Sequence, residues 1–404
     1  VLTLAAIFGI FNHRVLRLPN TIGVLLLALA VSVCLIITDP VIMGIRLRDQ
    51  ADHWLTGIDL SAALMDGVLC FLLFAGSLHV DIDHLWSRKW TVLALAVLGT
   101  VIAVALLGPG MWLIFRAVGH PIPFAWCVVL GAILAPTDPV AVVGMLKRLG
   151  LPPGLQAIFA GESLFNDGVG VVLFGVALGV ATGDTAGTGL APIAAAFVTQ
   201  AFGGALIGLV TGWLALLMMR RVDDYNLELV ISLALATGTY SLANACDISG
   251  LIAVVVAGLT VGSRSGRRSM SDLTHQHLTT FWSLIDEVLN SLLFLVIGLE
   301  IFTIPLSRMD LLATAAALPL AVGARAISVF VPMTLLHLGT PGRWGTMAVL
   351  TWGGLRGGIS VALALALPAG PDRGALVTVC YGVVVFTIVV QGLTMERVTR
   401  RFFG

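Results

Sequence analysis

The sequence predicts an all-α polytopic membrane protein: about 13 transmembrane helices, in two inverted six-helix repeats with crossed broken helices at spans 5 and 12. Three observations predict it. The composition is too apolar for a water-soluble particle, apolar stretches of membrane-crossing length recur along the chain, and two of them are interrupted at corresponding places. Of the 404 residues, 58% are hydrophobic and 11% charged, with a mean hydropathy of +1.03. Soluble globular chains carry about 25% charged and about 45–50% apolar residues. The composition therefore excludes an ordinary cytosolic enzyme, a disordered chain and a nucleic-acid binder, which needs a basic face. The 22 basic and 22 acidic residues cancel, so only their placement is informative.

A helix crossing the hydrocarbon core needs about 20 apolar residues. Breaks at charged and Pro/Gly-rich segments delimit spans at 1–13, 20–38, 58–79, 89–115, 122–147, 153–182, 189–219, 226–244, 248–263, 276–302, 309–337, 343–368 and 374–396. The stretch 89–115 contains Gly108-Pro109-Gly110 but is too short for two crossings, so it counts as one. The 45 glycines fit close helix packing in lipid. The longest connection, 39–57, has room for a short interfacial helix. The chain begins at Val1, as after trimming, and shows no cleavable signal peptide. Cys34, Cys70, Cys127, Cys246 and Cys380 lie far apart in apolar stretches, without CxxC or Cys–His spacing. They read as small core residues, not as a disulfide framework or zinc site.

Basic residues alternate between connections. Of the 22 Lys and Arg, 15 fall in odd-numbered connections and the C-terminus, five (Arg46, Arg48, Arg116, Arg308, Arg373) in even-numbered ones, and two (Arg325, Arg356) inside spans. The excess of positive charge in cytoplasmic loops then places the N-terminus outside and the C-terminus in the cytoplasm. A wrong span count would scramble the alternation.

A few charges are left at membrane depth: Asp138, Glu162, Asp167, Asp286, Glu287, Arg325 and Arg356. Each costs about 2.5–3.5 kcal/mol at a span centre, so such groups face a cavity or one another. The plainer alternative is salt bridges that only lock helices together. Span 5 reads AILAPTDPVAVVGML, with Pro136 and Pro139 flanking Thr137-Asp138. Each proline removes a donor and clashes with the preceding turn, so the helix should unwind there. Irregular backbone at this depth survives only inside protein or beside water.

Span 6 reads AGESLFNDGVGVVLF. At helical spacing Glu162 and Asn166 share one face, and Ser163 and Asp167 share another. Two carboxylates, an amide and a hydroxyl make an oxygen-rich stripe suited to a small, hard cation. Polar glue between helices would not need two carboxylates. In span 12, TWGGLRGGISVALAL, four glycines surround Arg356, which again suggests an interrupted helix, or alternatively close packing through small residues. If spans 1–6 and 8–13 are repeats joined by span 7, both interruptions fall in the fifth member of a repeat. Interrupted segments at corresponding positions point to a transporter's binding site. Arg356 would neutralise the helix ends meeting there. Arg325 needs an anion, and Glu162 is the natural one. Asp286 or Glu287 lines an access funnel or bonds a neighbouring helix. Asp81, Asp83, Asp223, Asp224 and Glu228 read as solvated loop ends, and the eight histidines as interfacial.

At APTDPVAV, GESLFNDG and GGLRGGIS the chain resembles the cation–proton antiporter superfamily, and most of all its NhaP-type sodium/proton branch, kin of the animal NHE exchangers. The resemblance covers essentially the whole chain. It implies a homodimer in the inner membrane of a prokaryotic cell, with dimerisation helices in 1–87 and 189–302 and a core in 88–188 and 303–404. By match to the motifs, Asp167 would bind cation and proton in turn. Asp138, Thr137, Ser163, Glu162 and Asn166 would complete or support the cation site, with Na+ at Asp167 and Asp138. Glu162 and Arg325 would form a structural ion pair, and Arg356 would carry the charge at the helix crossing. Asn166 stands where the electrogenic branch has aspartate, which implies electroneutral one-for-one exchange. Ala75 departs from the acidic residue common at its position, and no long regulatory tail is present. The resemblance implies a secondary antiporter of Na+ or Li+ against H+, not an enzyme, with no cofactor. Potassium/proton exchange on the same fold and a cation channel are the rivals within transport. A membrane redox enzyme is disfavoured by the scattered Cys and His.

Overall fold

The computed structural model describes residues 1–38, 67–138, 140–183, 190–222, 224–300, 307–336 and 343–403. The possible interfacial helix in 39–57, together with His53, Pro139, Asp223 and His337, lies outside them. Among the described residues the chain is helical throughout, with no strand.

Helix α1 (Leu2–Phe11) runs into a π-helical turn, Asn12–Leu16, and bends by 105° into α2 (Asn20–Thr38). Next come α3 (Leu69–Leu78), α4 (Ile82–Ser87) and α5 (Lys89–Val118). Pro109 lies inside α5, which stays a single helix until Gly119. Helices α6 (Phe124–Leu134) and α7 (Val140–Arg148) are the two halves of an interrupted segment. Helix α8 (Pro153–Thr182) starts on a proline, which needs no donor in the first turn, and stops at Gly183, whose φ of 82° suits glycine. Helices α9 (Leu190–Met219), α10 (Tyr225–Ala245), α11 (Gly250–Gly262), α12 (Asp272–Glu300) and α13 (Arg308–Leu335) follow. The second interrupted segment is α14 (Arg343–Trp352) and α15 (Gly358–Leu365), and α16 (Arg373–Phe403) ends the chain.

Six of these, α5, α8, α9, α12, α13 and α16, are long and apolar enough to cross a membrane, or seven spans if α1 and α2 are one bent span. The others miss that test for physical reasons. The interrupted segments are split into halves, α11 has only 13 residues, and the 21 residues of α10 are diluted by groups such as Glu228, Ser232 and Thr239.

Packing divides the helices into neighbourhoods. Helices α5, α6, α8, α13 and α16 pack on one another, and α15 joins them against α6 and α16. Helix α2 packs on α12, and α11 is covered by α3, α9 and α10. Gly204, Gly208 and Gly212 let α9 lie directly on the α11 backbone; a Cβ at Gly204 would come within 2.7 Å of the Ser249 carbonyl oxygen.

Two expectations are corrected. Glu228 is not a solvated loop end: it is 1% exposed in the first turn of α10. A helix N-terminus favours an acid, and Glu228 shares its pocket with Arg220, Arg221, Ser269 and Ser271. Of the five free cysteines only Cys70, Cys127 and Cys380 are core residues. Cys34, within α2, and Cys246, just past the end of α10, are exposed on this chain.

Candidate functional site

The first break follows from Pro136. Helix α6 ends at Leu134 and α7 starts at Val140, so the carbonyls of Ala135 and Pro136 lose their helical partners. The second break follows from the glycines between Trp352 and Gly358. The two breaks cross: the Asp138 backbone N–H donates to the Leu355 carbonyl at 2.8 Å, an isolated antiparallel bridge. Arg356, 1% exposed, spans the crossing. Its Nη1 donates to the carbonyl oxygens of Ala135 at 2.6 Å and Pro136 at 3.0 Å, and its backbone N–H donates to Thr387 Oγ1 at 3.0 Å. The charged guanidinium thus satisfies the acceptors that the proline break leaves over.

Helix α8 passes beside the crossing. Arg325 on α13 grips Glu162 with a fork, Nη1 to Oε1 and Nη2 to Oε2, both at 2.8 Å. Arg325 Nε also donates to the Leu350 carbonyl at 3.3 Å. Asn166 Nδ2 donates to Glu162 Oε1 and to Thr137 Oγ1, each at 2.8 Å, and its Oδ1 accepts from the Thr137 N–H at 3.4 Å. Ser163 Oγ donates to the Thr137 carbonyl. One face of α8 therefore fastens the first break to the ion pair.

Asp167 lies elsewhere. It is 6% exposed, and no ion pair or hydrogen bond reaches its carboxylate among the described residues. It lines a cavity of about 320 Å³ together with Thr137, Asp138, Ser360 and Gly357. A Cβ at Gly357 would run into the Asp138 carboxylate, so only glycine lets the second break approach that closely. The cavity runs outward past Asp286 and Asn290 to His79 and Ser283, both exposed. His79 Nε2 lies 2.8 Å from Ser283 Oγ, and Asn290 Nδ2 donates to Asp286 Oδ1 at 3.0 Å. This mouth is at the end of the bundle where Asp83 pairs with Arg264 at 2.7 Å.

Of the residues singled out in the sequence, Thr137, Asp138 and Asp167 face the cavity, while Glu162, Ser163, Asn166 and Arg325 form the buried network behind it. Asp286 lines the cavity and the exposed Glu287 does not. Ala75 is buried outside the cavity lining, next to Gly76, which is part of it. Sequence reading missed His79, Ser283, Asn290 and Ser360. Ser283, Asp286 and Asn290 recur at offsets 0, 3 and 7, one face of a helix, and that spacing was the available signal. His120 also does more than sit at an interface: its Nδ1 is 3.3 Å from Asp310 Oδ1, which also accepts the Ser307 hydroxyl at Oδ2 at 2.6 Å.

The sequence profile of the family described as "Sodium/hydrogen exchanger, transmembrane" matches residues 2–401. The Na(+)/H(+) antiporter NhaP of Pseudomonas aeruginosa is 39% identical over 100% of this chain and 96% of its own length. The Na(+)/H(+) antiporter NhaH of Halobacillus dabanensis is 34% identical over 96% of this chain and 93% of its own. Among solved structures, the sodium proton antiporter MjNhaP1 of Methanocaldococcus jannaschii at pH 8 superposes with a TM-score of 0.76 over 100% of this chain and 97% of that one. At 20% identity that likeness speaks for the fold alone. Family profile and close relatives both extend over essentially the full length, and with them this chain belongs to the sodium/hydrogen exchanger family.

Proposed function

We propose that the protein is a secondary antiporter exchanging Na+ or Li+ for H+ across the membrane, with Asp167 holding proton and cation in turn. The relatives' names support sodium/proton exchange. One observation carries the site: Asp167 is a buried carboxylate at the end of a cavity with no protein partner among the described residues, whereas Glu162 on the same helix is neutralised by Arg325. An ion in that setting needs a counter-charge, and only a mobile one, proton or cation, can come and go. Asp138 and Thr137 stand beside the cation, and Ser163, Glu162 and Asn166 brace them from behind the cavity. The empty, charged carrier cannot cross, because a naked carboxylate in a low-dielectric barrier is costly. Exchange then follows from competition for Asp167, one ion for one proton and without net charge movement. Because proton and cation compete, apparent cation affinity falls as the pH falls.

Thirteen spans, with 1–6 and 8–13 as inverted repeats, put both breaks in the fifth member of a repeat. The N-terminus is outside and the C-terminus cytoplasmic, so the cavity mouth beside Arg264 opens to the cytoplasm. The core of 88–188 and 303–404 moves against the scaffold of 1–87 and 189–302, which also forms a homodimer. The tight packing of α5, α6, α8, α13, α15 and α16 on one another supports that division. The test is proton flux in proteoliposomes under imposed sodium, lithium or potassium gradients, with and without an ionophore voltage clamp. Sodium- or lithium-driven proton movement that ignores the clamp is expected. Cation current without countertransport would overturn the reading.

A further inference from the structure

The hydroxyls around the cavity are not in equivalent states. Thr137 Oγ1 accepts from Asn166, Ser163 Oγ donates to the Thr137 carbonyl, and Ser283 Oγ lies at hydrogen-bond distance from His79. Ser360 differs. It is 1% exposed, lines the cavity, and its Oγ has no hydrogen-bond partner among the described residues. Buried polar atoms without partners are rare in native proteins, and each calls for an explanation.

We infer that Ser360 is a further ligand of the transported alkali cation, giving it a neutral oxygen from the second broken helix. The inference rests on the exchange reading above. Position supports it. Gly357 caps α15, so Ser360 is the third residue of that helix. Side chains on a helix tilt toward its N-terminus, and the N-terminus of α15 is where Gly357 abuts the Asp138 carboxylate. The backbone of Ser360 is already engaged, its carbonyl accepting from Cys380 Sγ at 3.4 Å, which ties α15 to α16. Of the side chain, the hydroxyl is left without a partner among the described residues.

The chemistry fits a small monovalent cation. Hard cations take oxygen ligands. The carboxylates supply the charge, and a hydroxyl adds a coordinating oxygen without adding repulsion between carboxylates. The cation is then held between both interrupted helices and not by α8 and the first break alone. Its departure frees the two breaks from a shared ligand at the moment the site is emptied.

The test uses Ser360→Ala and Ser360→Cys in the full chain. Two quantities are read: thermal stabilisation of the detergent-purified protein by NaCl or LiCl against choline chloride, and sodium-driven proton flux in proteoliposomes. The hydroxyl makes no hydrogen bond among the described residues, so Ser360→Ala should unfold no earlier than the parent in choline chloride. Its half-saturating Na+ and Li+ concentrations should rise about three- to tenfold in both assays, with the maximal rate nearly unchanged. Ser360→Cys, which keeps the volume but offers a soft sulfur, should lose Na+ and Li+ affinity in the same way and retain more affinity for Tl+. Parent-like half-saturation in Ser360→Ala overturns the inference. So does a lower unfolding temperature of that variant in choline chloride, which would mean the hydroxyl is structural. If the parent itself shows no cation response, the exchange reading fails instead.

Discussion

Glu162 and Asp167 are five residues apart on α8, both buried, and live under opposite conditions. Glu162 accepts both arms of the Arg325 guanidinium and an amide hydrogen of Asn166. Asp167 meets no such donor among the described residues and faces a cavity. The ion pair is closed: each partner is held by the other, and neither is available to a passing ion. The open carboxylate is what a carrier needs, because its counter-charge must be exchangeable. On the proposed function the same helix keeps one carboxylate for architecture and one for transport, and what surrounds each of them makes the distinction.

The sharpest way to break the contrast is Asp167→Asn. It removes the exchangeable charge and breaks no hydrogen bond or ion pair among the described residues, so exchange should fall to background while the protein still folds and assembles as the parent does. Sodium-driven proton flux in proteoliposomes, read beside size-exclusion behaviour and thermal unfolding, checks both halves. Substantial flux from the variant would remove Asp167 from the mechanism.

The next largest effect lies on the closed side and in the other observable. Glu162→Gln or Arg325→Met alone leaves a lone buried charge, which costs about 3–5 kcal/mol. The double variant removes both charges and should recover much of that loss, since a buried pair is often close to neutral against an apolar replacement. Thermal unfolding of the two single variants and the double gives the coupling directly. Parent-like unfolding temperatures in both single variants would show that the pair is not what holds α8 to α13.

How far these roles are legible in the sequence depends on the kind of signal. The breaks at Pro136 and around Arg356 are local backbone chemistry, so the helix ends at Leu134 and Trp352 follow from neighbours in the chain. The polar residues of α8 were legible as one stripe, because helical spacing is also local, but the stripe did not say which carboxylate Arg325 would take. The part inferred for Ser360 was not legible. It depends on a hydroxyl being left without a partner across a crossing of two distant segments, and single-chain spacing does not encode that. Burial of Glu228 was missed for a similar reason. A charge near a helix start normally reads as solvated, and only the packing of the Arg220 and Ser269 segments over it encloses it.

Asn166→Asp tests the seam between the closed and the open side, with a smaller expected effect. In the electrogenic branch an aspartate stands at this position, so a simple reading makes the substitution a switch of stoichiometry. The contacts argue otherwise. Asn166 uses its amide hydrogens on Glu162 Oε1 and Thr137 Oγ1, both at 2.8 Å. An aspartate has no hydrogen to give when ionised, so it would set a carboxylate against Glu162 and compete for Arg325. Losing a buried donor to a charged acceptor costs about 1–3 kcal/mol. The variant should therefore unfold at a lower temperature, with a weakened Glu162–Arg325 coupling, and still exchange without net charge. Flux that became sensitive to the voltage clamp would show that this one position sets the stoichiometry. Electroneutral flux in a destabilised variant would show that Asn166 belongs to the closed side, as the brace that holds the first break against the ion pair.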